Sequence, residues 1–136
     1  MTNEDILQIA MQQSAEDLGC LAEDFRGDTN LIVPFALGAN CKKYYKLPIS
    51  CNMVSYGTNV VASANEDVYE VVHEYISKFQ FYHCFETPNM RWLNERIEPM
   101  GQTVCYIAEY YLPNLDLLTE KPCGYELRVL EKGQYE

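Results

Sequence analysis

The chain lacks several features that would identify its chemistry at once. No stretch approaches the run of about 20 apolar residues that a membrane-spanning helix requires. The opening MTNEDILQIAMQQ is acidic where a secretory leader is basic, so a cytoplasmic protein with no membrane partner is expected. Basic residues are few, 10 Lys and Arg against 20 Asp and Glu, for a net charge of −10. Phosphate backbones are held mainly by Lys and Arg, so no nucleic-acid partner is expected. The one basic cluster, Lys42, Lys43 and Lys46 around Tyr44 and Tyr45, reads as a solvated loop face.

Clustered glycine is also missing. The seven glycines are dispersed and form neither GxGxxG nor GxxxxGK followed by Ser or Thr, which excludes a glycine-rich phosphate cradle. The six cysteines (20, 41, 51, 84, 105, 123) are equally scattered and contain no CxxC pair. Metal ligands usually come at close spacing, so no metal site is expected, and reduced, buried thiols are the better reading. The only histidines are His73 and His83.

What is present is apolar and aromatic. At 136 residues and 48% hydrophobic content, with eleven tyrosines, the chain is long enough to bury one core. Thr2 with Asp5 three residues on resembles a capping box, opening a helix to Leu18 that Gly19 ends. Its apolar side is either Ile6, Ile9, Ala10 and Leu18 or Leu7, Met11 and Leu18. Residues 21–30 read as a helical turn and a loop. NLIVPFAL offers a strand that Pro34 confines to an edge or an end.

CNMVSY, GTN and VVASA form a hairpin. Asn65 then opens a helix from Glu66 to about Phe79, with Val68, Val71, Val72, Tyr75, Ile76 and Phe79 on one side. FQFYHCFE reads as a short strand, and Thr87-Pro88 as the cap and first residue of a helix that buries Met90, Leu93 and Ile97 and ends near Gly101. QTVCYIAEYYLP, with apolar residues on both faces, is expected as a central strand, and YELRVL as the last strand. The order predicts an α+β (mixed α/β) fold, one predominantly antiparallel sheet packed with about three helices.

Candidate chemistry is thin. On a strand His83 and Cys84 point to opposite faces, so they cannot act as base and nucleophile. Pairs such as Glu16-Asp17, Glu23-Asp24 and Glu66-Asp67 read as solvated charge rather than acid/base pairs. The best ligand-binding candidates are Glu86, Asn89, Arg91 and Trp92, where polar groups and an aromatic meet at a helix start with open backbone amides. The bland alternative there is a capped helix with Trp92 packed as a core anchor.

Taken as a set, MTNEDILQIAMQQSAEDLGC, KKYYKLPISCNMVSYGTNVVAS, FYHCFETPN, VCYIAEYYLP and PCGYELRVLE resemble the N-terminal region of GNAT-type N-acetyltransferases of anaerobic Gram-positive bacteria. The resemblance covers nearly the whole chain. It implies an N-terminal α+β domain over 1–124, with 125–136 as a final strand and tail that starts a following acetyltransferase domain. GNAT enzymes hold acetyl-CoA through an Arg/Gln-x-x-Gly-x-Gly/Ala loop, and this chain has none, so no cofactor-binding or catalytic residue carries over.

The resemblance therefore implies an accessory domain that shapes an acceptor site or a dimer contact and is not catalytic alone. Its partner would be the acetyltransferase domain or a second copy, with acetyl-CoA as cofactor of the family but not of this chain alone. A stand-alone small-ligand or protein-interaction module, using the Tyr-rich stretch 102–112, is the alternative. A degenerate GNAT-like fold within the 136 residues is a third.

Overall fold

In the computed structural model, residues 1–42, 47–119, 124–126, 128, 131, 133 and 134 are described. Helix α1 spans Asn3–Leu18, and its start is the expected capping box: Asp5 N donates to Thr2 Oγ1 at 3.1 Å and Thr2 N to Asp5 Oδ2 at 2.6 Å. Met11, Ala15 and Leu18 are buried while Ile9 is exposed, which settles the apolar side in favour of the Leu7–Met11–Leu18 stripe. Gly19 ends the helix at φ 73°, where a Cβ would lie 1.8 Å from the Ala36 carbonyl oxygen. Only glycine meets both conditions.

A 3₁₀ turn at Ala22–Arg26 leads to β1 (Leu31–Pro34), and the hairpin follows as β2 (Cys51–Ser55) and β3 (Val60–Ala64). Its connecting loop is residues 56–59, with Gly57 at φ 98° and Ser55 Oγ donating to the Asn59 carbonyl at 2.6 Å. Strand order is β1-β3-β2. The β2–β3 ladder is antiparallel, but β1 joins β3 in parallel (Leu31 beside Val61), so the sheet is evenly mixed rather than predominantly antiparallel. Pro34 closes the edge strand, where its missing N–H costs nothing.

Every residue of β3 is buried, because helices cover both faces of the sheet. On one face Val60, Ala62 and Ala64 pack with α2 (Glu66–Lys78) and α3 (Thr87–Ile97) through Val68, Val72, Tyr75, Ile76, Leu93 and Ile97. On the other, Val61 meets Met11, Ala15, Leu18, Ala22 and Phe25. Each fully buried Val or Leu contributes about 1.5–3 kcal/mol by transfer from water, so these two clusters hold the α+β layers together.

Two expected strands are not strands. Residues 81–83 form a 3₁₀ turn, continued by i to i+3 bonds from His83 N to Gln80 O (2.8 Å), Cys84 N to Phe81 O (3.3 Å) and Glu86 N to His83 O (3.2 Å). The short link between α2 and α3 forces the chain to reverse, and the buried Tyr75 hydroxyl pins the turn by donating to the Cys84 carbonyl at 2.6 Å. The cap of α3 is accordingly Glu86, one residue before the expected Thr87.

Residues 102–113 carry no helix or strand, and most are exposed. Alternating β-type side chains suit a pleated surface but do not supply a partner ladder, and this stretch has no neighbouring strand among the described residues. Of YELRVL, Leu127, Val129 and Leu130 lie outside the described residues, as do Lys43 and Lys46 of the basic cluster. Among the described residues no helix is long and apolar enough to cross a membrane.

Candidate functional site

The predicted ligand cluster divides in two. Glu86 and Asn89 come together: Asn89 Nδ2 donates to Glu86 Oε2 at 3.3 Å and to the His83 carbonyl at 2.9 Å, and His83 Nδ1 lies 2.8 Å from the same Glu86 oxygen. Glu86 thus places a carboxylate at the positive end of α3, where a bound anion would otherwise sit. Arg91 instead donates along its own helix to Glu95 at 2.8 Å. Trp92 is half-buried, stacked 5.9 Å from Tyr75, edge-on to Phe79 at 6.0 Å, and covered by the Arg96 guanidinium 3.4 Å from the ring centroid. Its indole is occupied by core and cation contacts.

His83 and Cys84 do not form a dyad, although the reason is a turn rather than a strand. The imidazole faces solvent and Glu86; the Cys84 thiol is fully buried, 3.5 Å from the carbonyl oxygens of Phe79 and Gln80. His73 is on the exposed side of α2. Burial pushes the Cys84 thiol up to about 11 and Cys51 up to about 12. For Cys20, burial and then the Asp24 charge raise the thiol to about 11. Thiolates are the reactive species, so these three are poor nucleophiles near neutral pH. Cys105 is exposed, which departs from the expectation of buried thiols, and Cys123 lies outside the described residues.

Two surface hollows among the described residues are open and carry carboxylates. One runs along α2 beside Glu70, His73, Glu74 and Lys78; another lies between Pro34, Phe35, Asn65, Glu66 and Tyr69. No group of three or more His, Cys, Asp or Glu side chains is arranged to hold a metal ion among the described residues.

Sequence reasoning missed a set of polar anchors. Asn30 Oδ1 accepts the amide of Val60 at 2.8 Å while its Nδ2 donates to the Ile76 and Phe79 carbonyls at 2.7 and 3.1 Å, tying β3 to the end of α2. Asp17, 2% exposed, accepts the Lys42 amide at 2.9 Å and the Lys42 ammonium at 2.8 Å, and Gln13 supports it at 3.1 Å. Single asparagines and aspartates carry no periodic signal, and, Gln13 apart, their partners here lie 25 to 49 residues away.

Two more anchors define a strap. At its start, Asn94 Oδ1 accepts the Thr103 hydroxyl at 2.9 Å and the Val104 amide at 2.8 Å, and Val104 packs against the α2–α3 core. Beyond its end, Asn3 Oδ1 accepts the Leu115 amide at 2.8 Å while Asn3 Nδ2 donates to Asn114 Oδ1 at 2.9 Å and Asp116 Oδ2 at 3.0 Å. Between them the chain displays Tyr106, Ile107, Tyr110, Tyr111 and Leu112, with Tyr110 and Tyr111 78% and 82% exposed. Among the described residues, the backbone amides of Cys105 and of 107–112 have no protein partner.

Compared with known proteins, the chain matches no family model, no curated protein and no solved structure.

Proposed function

We propose that the chain is a non-catalytic accessory domain acting by contact with another polypeptide, in the setting of a GNAT-like acetyltransferase whose acceptor site or dimer contact it shapes. The observation that carries this reading is the strap at 105–113: anchored at both ends, rich in exposed tyrosine, and, among the described residues, with the amides of Cys105 and of 107–112 unpaired. Holding such a segment in place costs conformational entropy, and an exposed aromatic run gives little back until something covers it. Tyrosine is also a favoured contact residue, offering large area with few rotors.

The chemistry elsewhere agrees with a non-catalytic role. Three thiols are held in the neutral form by burial, and the α3 N-terminus carries its own carboxylate. Acetyl-CoA on this reading belongs to the acetyltransferase domain. A stand-alone interaction module differs only in having its partner on a separate chain.

The test is a calorimetric titration of the 136-residue chain with acetyl-CoA, paired with sedimentation of the chain mixed with a GNAT-type acetyltransferase domain from an anaerobic Gram-positive bacterium. No heat with acetyl-CoA and a one-to-one complex with the domain are expected. Saturable acetyl-CoA binding overturns the non-catalytic reading; absence of a complex overturns the acetyltransferase setting.

A further inference from the structure

We propose that residues 105–112 are a docking edge for an extended, Lys- or Arg-bearing segment of the partner, taken up by backbone pairing. This rests on the reading of the chain as an interaction domain and names the chemistry of what it contacts. Three observations converge. First, the amides of Cys105 and of 107–112 lack protein partners among the described residues, while both flanks are fixed by Asn94 and Asn3. An anchored segment with unpaired amides presents a template onto which another strand adds through main-chain bonds.

Second, side chains alternate in the manner such pairing requires. The hydroxyls of Tyr106 and Tyr110 meet at 3.2 Å, and separately Tyr111 donates to Glu109 at 2.8 Å, so the contacts join residues two and four apart. Specificity in strand addition comes from what alternate side chains meet.

Third, the charge selects the partner. From Ile97 to Glu120 the sequence contains Glu98, Glu109, Asp116 and Glu120 and no Lys, Arg or His. Exposed tyrosine faces attract ammonium and guanidinium groups, and the chain's net charge of −10 draws in cations from a distance. The same charge opposes a second copy of this chain, since each would bring its own excess of carboxylates.

The experiment uses the full chain, ¹⁵N-labelled, and a synthetic peptide of about ten alternating Lys and Val residues. Two controls accompany it: a Glu-Val peptide, and a Lys-Val peptide N-methylated along its pairing edge. Amide shifts confined to 104–112, loss of binding for both controls, and weakening as salt shortens the screening length from about 10 Å at 0.1 M to about 3 Å at 1 M are expected. Tyr110→Ser, at a side chain that is 78% exposed, leaves the remaining spectrum unchanged and weakens binding roughly threefold.

Shifts centred elsewhere, equal affinity for the Glu-Val or N-methylated peptide, no binding at about 1 mM peptide, or self-association through 105–112 each overturn the proposal. If the peptide fails while the chain still binds an acetyltransferase domain, the docking edge is wrong and the accessory role stands; if both fail, both are wrong.

Discussion

The side-chain oxygen of Asn94 accepts the backbone amide of Val104 at 2.8 Å, and through this bond α3 sets where the tyrosine-bearing strap begins. Asn94→Leu removes the acceptor for both Val104 and the Thr103 hydroxyl. Hydrogen exchange should accelerate at Val104 while the amides of α2 remain protected, at a cost of about 1 kcal/mol in global stability. Unchanged exchange at Val104 would show that the anchor does not fix the strap.

Gly19→Ala should cost at least about 2 kcal/mol, because it combines a left-handed backbone with a side chain driven into a carbonyl oxygen. Chemical denaturation read by far-UV circular dichroism checks it. The same substitution at Gly57, which has φ 98° but open space around its Cβ position, should cost only the backbone term. The difference between the two variants isolates the Ala36 contact.

How much of this was legible in the sequence follows from which interactions are local. The α1 capping box, the hairpin and the α2 stripe depend on residues within a few positions of one another, and all were readable. The 81–83 turn and the 102–113 strap have the sequence of strands because aromatic and β-branched runs report side-chain preference, whereas a strand also needs a neighbour. Of the candidate cluster, Glu86 and Asn89 meet because they are three residues apart at a helix start. Arg91 and Trp92 are claimed by Glu95 and by Tyr75, Phe79 and Arg96, contacts that a search for a ligand site passes over.

Ser63→Ala should be neutral or mildly stabilising, by roughly 0–1 kcal/mol, since its hydroxyl is fully buried with no hydrogen-bond partner among the described residues. Asn52, its register neighbour on β2, also has a buried, unpartnered Nδ2. A clear loss of stability in the denaturation midpoint would mean that the pair shares a bridging water that the substitution removes.

Alkaline pH should destabilise the fold through its thiols. The folded-state values of Cys84 and Cys51 are raised from 9.0 to about 11 and about 12, mainly by burial. Below pH 9.0 both states hold these protons and stability is intact; above it the unfolded chain releases them first, so stability falls as pH rises toward 12. Cys51→Ala should make that decline shallower throughout its course above pH 9.0, in denaturation midpoints measured from pH 8 to about 11. An unchanged slope would place the alkaline sensitivity elsewhere.

The parallel pairing of β1 with β3, Leu31 beside Val61, has a consequence for how the chain is made. The hairpin closes over a few residues, but β1 finds no neighbour until β3 has been synthesised through Ala64. At about 5–20 residues per second, a nascent chain therefore waits roughly 2–6 s with its first strand unpaired. Pro34, which withholds an amide at the end of that strand, lessens what it offers a wrong neighbour during the wait.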